Sequence, residues 1–173
     1  MRWLPFQLNP DLPESGIPRE EYVARKFGAR GKGVNERVIM AGRQVGIPFD
    51  YEKMKVQPNT LNAHRLMHHA ERTGKQDELA EELFRAHFIE GANLTDRETL
   101  ADIADHAGLD RAAVKAYLAG DEDRATIQQA DAEVRTMGIN GVPFFIINRK
   151  VGVSGAQDAE ALLEAMEQAL KSE

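Results

Sequence analysis

Val142-Pro143-Phe144-Phe145-Ile146-Ile147, then Asn148-Arg149-Lys150, then Val151-Gly152-Val153, is the stretch whose reading decides the fold. Aromatic and β-branched residues follow a proline, turn formers follow them, and a short apolar return completes the run. That order predicts a β-hairpin. Ser154-Gly155-Ala156-Gln157 then predicts a loop. Asp158 to Lys171 predicts an amphipathic helix with Leu162, Leu163, Met166 and Leu170 on one side. On local sequence Pro143 has two readings. It is a trans proline at the first residue of a strand, where a missing N–H does no harm, or it carries a cis X-Pro bond, which is uncommon and retained for a purpose.

Working outward, almost everything upstream is helical in pattern. A helix from about Glu122 to Met137 ends at Gly138. Before it, Asp110 caps a short helix holding Val114 and Leu118, and Thr95-Asp96-Arg97-Glu98 matches a capping box that opens a helix carrying Leu100 and Ile103. Leu79, Leu83, Phe84 and Phe88 fall at helical spacing within Asp77 to Glu90. Pro58-Asn59-Thr60 opens a helix carrying Leu61, Leu66 and Met67, with Asn59 or Thr60 as cap. Val34 to Val45 reads as a helix ended by Gly46 and Pro48. Pro18 starts another, with Tyr22, Val23 and Phe27 apolar and Gly28, Gly31 and Gly33 breaking it. Trp3 to Leu8 is expected to be a strand. The layout is strand, helical block, hairpin, helix.

Composition narrows the chemistry. The chain has 173 residues, 42% hydrophobic and 29% charged, enough for one core with a helical insert. A net charge of -6, with no basic run, argues against nucleic-acid binding. No apolar run approaches the roughly 18 residues of a membrane span, and the first residues form no signal segment, so a cytoplasmic protein is expected. There is no cysteine. These residues therefore offer no thiolate nucleophile, disulfide or cysteine-ligated metal.

Asn140-Gly141-Val142-Pro143-Phe144-Phe145, with a hairpin and a final helix after a helical block, resembles the DsbA-like branch of the thioredoxin superfamily. Trp3-Leu4-Pro5-Phe6-Gln7-Leu8-Asn9-Pro10, Pro58-Asn59-Thr60 with Ala63-His64-Arg65, and Leu83-Phe84-Arg85-Ala86-His87-Phe88 with Glu90-Gly91 fit the same group. The resemblance is greatest to FrnE-type DsbA oxidoreductases, with 2-hydroxychromene-2-carboxylate isomerases and kappa-class glutathione transferases as neighbours. It implies an α/β, thioredoxin-like fold with a large all-helical insertion. Residues 1–16 and 138–173 would form the thioredoxin-like domain and 17–137 the insertion. It also implies a cis bond at Pro143. Family members begin with a strand, an active-site loop and a helix, and this chain starts after that unit. The resemblance therefore implies that about 30 to 40 N-terminal residues are missing, the size of one strand–helix unit.

The candidate site residues follow. Val142 beside Pro143 would leave its backbone free to pair with an extended peptide or with glutathione. Ser154, Gly155, Ala156 and Gln157 are either a turn with a helix cap or a modest anion site that would hold the γ-glutamyl end of glutathione. Asn59 is either a simple cap or a glutathione contact. His64 and His68 share a helix face at i, i+4, but the Glu of H-E-x-x-H and a third ligand are absent, so no metal site is expected.

Three functions fit this pattern. The first is a FrnE-like thiol–disulfide oxidoreductase whose Cys-x-x-Cys lies in the missing unit, so that no catalytic residue lies in this chain. The second is a glutathione-dependent isomerase or transferase, with glutathione as cofactor and a serine in the missing unit. The third is a non-catalytic binding module. Partners are then a disulfide-containing protein or glutathione, without nucleic acid or membrane. An open sheet would also tend to form a homodimer.

Overall fold

Leucine and alanine recurring every three or four residues build the buried centre of the molecule. The structure is a computed structural model that describes residues 1–28, 33 and 35–171. Gly31 and Val34, expected as a helix breaker and a helix start, lie outside the described residues. Packing divides the chain into two compact units, Met1–Gln128 and Gln129–Glu173.

The first unit contains β1 (Ile17–Pro18), α1 (Arg19–Phe27), α2 (Glu36–Gln44), β2 (Val56–Gln57), α3 (Leu61–Glu71), α4 (Gln76–Phe88), α5 (Arg97–His106) and α6 (Arg111–Ala119). Ala63, Leu66 and Ala70 of α3, Leu79, Leu83 and Ala86 of α4, Leu100 and Ile103 of α5, and Val114 and Leu118 of α6 form one buried cluster. Each set repeats at helical spacing, so each helix turns one face inward. α7 (Arg124–Thr136) runs from the first unit into the second.

Two helix starts show how local chemistry sets the boundaries. Asp110 caps α6 as expected, its carboxylate accepting from Ala113 N at 2.7 Å. At α5 the cap is Asp96, which accepts from Glu98 N and Thr99 N, rather than the expected Thr95. Thr95 is held instead by the side chain of Asn93. The Thr99 hydroxyl that donates to Asp96 keeps this carboxyl below its usual range.

Trp3–Leu8, expected as a strand, carries none. A strand needs a neighbouring backbone to complete its ladder. Here Trp3 N donates to Gln76 Oε1 at 3.2 Å, and Gln76 Nε2 reaches Trp3 O at 3.5 Å, so a side chain amide takes the place of a neighbouring strand. The short antiparallel bridge of Ile17 with Gln57 and Pro18 with Val56 carries no sequence period and was not expected.

His87 of α4 is buried, with Nδ1 3.2 Å from Ala92 O. Burial lowers its pKa from the ordinary value, against the pull of that hydrogen bond. The unfolded chain therefore binds the proton more readily than the folded one. Stability is full above the ordinary histidine value of about 6.5 and falls with acid below it, down to the lowered folded value. The urea midpoint is expected to drop below about pH 6, and His87→Phe is expected to flatten that part of the profile.

In the second unit, β3 (Phe144–Ile147) and β4 (Val151–Ser154) form the antiparallel hairpin and α8 (Ala159–Lys171) follows. The register pairs Phe144 with Ser154 and Ile147 with Val151. Asn148 and Arg149 both have positive φ, 51° and 57°, the left-handed conformation favoured in tight hairpin turns. Asn148 Nδ2 donates to Ala169 O at 3.3 Å and ties the turn to α8. The side of α8 expected to be the core face is largely open. Ala165 and Ala169 are buried, whereas Leu163, Met166 and Leu170 face outward. The hairpin is too narrow to cover the whole apolar arc of the helix.

Candidate functional site

A proline lacks the N–H that a ladder requires, so the β3–β4 pairing begins one residue after Pro143, at Phe144. The Val142–Pro143 peptide bond is cis. Pro143 O accepts from Gly155 N at 2.9 Å, which joins the start of β3 to the loop after β4. Val142 lies beyond the ladder and is 50% exposed. Among the described residues its backbone N–H and C=O make no hydrogen bond. The result is one unpaired backbone unit on an exposed corner, the geometry that accepts an extended peptide by strand addition.

The structure thus brings Val142, Pro143, Ser154 and Gly155 together at one end of the hairpin. Much of the loop's hydrogen-bonding capacity is already committed. Gly155 N–H is taken by Pro143 O, and Gln157 Nε2 donates to Ser154 O at 2.9 Å. The first turn of α8 is capped by Asp158, whose carboxylate accepts from Ala161 N at 2.9 Å. A negative group of the chain therefore stands where an incoming anion would use the helix terminus. The Ser154 hydroxyl remains as a side-chain polar group beside this corner, and Ala156 offers only its backbone.

Asn59 belongs to the first unit and is buried. Its Oδ1 accepts from Leu61 N at 2.9 Å and Gln7 Nε2 at 3.2 Å. Its Nδ2 donates to Leu12 O at 2.7 Å and reaches Pro10 O at 3.5 Å. Standing one residue before the N-cap Thr60, it accepts the first N–H of α3 and fastens the N-terminal loop to that helix, and a ligand would have to replace these bonds. Among the described residues no three of His, Cys, Asp and Glu converge as a metal site. No helix among them is long and apolar enough to cross a membrane.

Arg65 was missed by sequence reasoning. Its side chain is fully buried in α3, yet among the described residues no carboxylate forms an ion pair with it. Nε donates to Glu122 O at 2.9 Å, Nη2 to Gly120 O at 2.7 Å and Tyr117 O at 3.2 Å, and Nη1 to Asn62 Oδ1 at 2.9 Å. The guanidinium lies over the Tyr117 ring at 5.1 Å. Tyr117 Oη in turn donates within reach of Arg65 O and Asp123 Oδ2, each at 3.0 Å. Burial beside that carboxylate holds the phenol protonated well above its usual range. The signal available in the sequence was the position of Arg65, between Ala63 and Leu66 on the inward side of α3.

Comparison with known proteins agrees with this architecture. The profile of the DSBA-like thioredoxin domain matches residues 1–167. The uncharacterized protein YwbO of Bacillus subtilis is 25% identical over 174 residues, covering 96% of this chain and 80% of YwbO. The crystal structure of a probable DsbA oxidoreductase from Streptomyces coelicolor superposes with a TM-score of 0.87 at 28% identity, covering 97% of this chain and 74% of that one. The hairpin with its proline corner, the helical block and the terminal helix are the parts of an α/β, thioredoxin-like DsbA fold, and the chain belongs to the DSBA-like thioredoxin domain family.

Proposed function

We propose that the chain is the substrate-docking and helical part of a FrnE-type thiol–disulfide oxidoreductase, working with a strand–helix unit that carries Cys-x-x-Cys. The observation that carries this reading is the unpaired Val142 backbone beside Pro143 on an open hairpin edge, in a chain with no sulfur nucleophile of its own. Both relatives contain segments with no counterpart in this chain, which supports a further unit.

In the proposed reaction the first cysteine stands at a helix N-terminus and is held as a thiolate. It attacks one sulfur of a substrate disulfide laid along Val142. A mixed disulfide forms, and the other substrate sulfur leaves as a thiolate. The second cysteine then attacks the mixed disulfide, the substrate departs as a dithiol, and the enzyme keeps the disulfide; oxidation of a substrate is the reverse. Val142 and Pro143 position the extended substrate and take no part in sulfur chemistry.

The test is thiol–disulfide exchange, with a model disulfide peptide, by the 173-residue chain and by the same chain joined to a strand–helix unit bearing Cys-x-x-Cys. The chain alone is expected to match buffer. The joined protein is expected to turn over, and a Val142→Pro change, which removes the docking N–H, is expected to raise KM. A joined, folded protein with no exchange would overturn the reading. Glutathione-dependent activity with serine in place of the cysteines would favour the isomerase alternative.

A further inference from the structure

Charge is unevenly spread along the chain. Residues 19–45 hold seven of the 22 basic residues and three of the 28 acidic ones, so this stretch is net positive in a chain of net charge -6. Arg25 pairs with Glu21, and Lys26 donates to the Tyr22 hydroxyl at 2.8 Å. Arg37 and Arg43 of α2 are exposed and form no ion pair among the described residues. α2 is anchored through Gly42, its buried residue. A Cβ there would stand 2.5 Å from the Phe49 ring, and Ile47 N donates to Gly42 O at 2.8 Å. The other residues of this nine-residue helix gain little cover, and helices shorter than about 12–15 residues are marginal in water without it. Val38, Ala41 and Val45, at i, i+3 and i+7, form an exposed row of about 10 Å; the two valines are 43% and 72% exposed. Arg37 edges that row, with Met40 and then Arg43 further round the open side. Three small side chains make too narrow an apolar face to lie in a bilayer surface, and the net charge opposes anionic lipid. Two copies joined through this face would bring two net-positive stretches together. A polypeptide segment with carboxylates among apolar side chains satisfies both the valine row and the arginines.

We infer that the Val38–Ala41–Val45 row of α2, edged by Arg37, docks an acidic segment of a partner polypeptide that carries apolar side chains. This surface lies in the helical insertion and needs no sulfur chemistry, so it stands apart from the exchange reaction proposed above.

The test uses the full 173-residue chain and two labelled leucine-containing peptides of about 12 residues, longer than α2 when extended. They are identical except that one carries glutamate where the other carries lysine. Binding is read by fluorescence anisotropy at low salt. A chain of net charge -6 acting through its overall field would prefer the lysine peptide. Docking on α2 requires the opposite, with the glutamate peptide binding about tenfold or more tighter. Arg37→Glu is expected to remove that preference, and Arg43→Glu, further from the row, to reduce it less. Val38→Ser, which has a similar helix propensity, is expected to weaken the glutamate peptide about threefold or more. The bound glutamate peptide is expected to slow amide hydrogen exchange within residues 36–47. No binding, a preference for lysine, or slowed exchange confined to other residues would overturn the inference. So would binding to phosphatidylglycerol vesicles that Arg37→Glu abolishes, since lipid would then occupy the face. Sedimentation in which Arg37→Glu turns an associated chain monomeric would overturn it as well, since a second copy would then cover the row. Neither peptide contains sulfur, so failure here leaves the exchange reading standing, and absent exchange in the joined protein leaves this one standing.

Discussion

Arg65→Ala is expected to lower the unfolding free energy by about 4 kcal/mol, measured by urea denaturation. The guanidinium satisfies the carbonyl of Tyr117 in the last turn of α6, where a helix leaves its acceptors without partners, and those of Gly120 and Glu122 just past its end. Removing it strands buried acceptors at about 1–3 kcal/mol each and leaves a cavity under the Tyr117 ring. Part of that loss is recovered if water enters, which is why the expected value is below the sum. Arg65→Lys is expected to recover less than half. A single ammonium cannot reach three carbonyls spread around a planar fork. Against a typical total of about 5–15 kcal/mol, the alanine variant would be marginal at body temperature. A loss below about 1 kcal/mol would show that the clamp is not a main support of the α3–α6 packing.

Gly91→Ala is expected to destabilise by about 3 kcal/mol or more, and Gly74→Ala by about 1 kcal/mol. Both glycines have positive φ, 75° and 68°, so the conformational penalty for a side chain is similar. Their surroundings differ. A Cβ on Gly91 would stand 2.5 Å from Lys53 Cβ and 2.6 Å from the Lys53 backbone, while nothing lies within 4 Å of one on Gly74. The Lys53 backbone cannot step aside freely. It sits in a turn fixed by Lys53 N to Asp50 Oδ1, and Asp50 N in turn donates to Phe88 O at 2.9 Å. The difference between the two variants, read from paired urea midpoints, isolates the contact from the backbone strain. Equal losses would mean that the 50–53 turn yields.

The parts of the fold legible in the sequence were those with their own period or punctuation. The hairpin was announced by Phe144 to Ile147 and the turn residues after them, and α6 by Asp110 and the Val114–Leu118 spacing. What was not legible depended on partners distant in sequence. Trp3–Leu8 has strand composition, but Gln76 takes the place of a ladder at Trp3. Leu163, Met166 and Leu170 mark an apolar side of α8, yet periodicity does not say whether a neighbour covers it. Arg65 reads as surface by residue type and is buried because three carbonyls more than 50 positions away need its donors. At the site, Pro143 and the loop from Ser154 were readable as separate features. The Gly155–Pro143 hydrogen bond that joins them, and the Asp158 cap that fills the first turn of α8, required the structure.

The most direct test of the proposed oxidoreductase role is the intact mass of the protein purified from its own source, before and after reduction and alkylation with iodoacetamide. The account predicts a mass several kilodaltons above the 19.3 kDa of these 173 residues, with a pair of cysteines becoming alkylated after reduction. A mass of 19.3 kDa with no alkylation would contradict it and leave a chain that binds without sulfur chemistry.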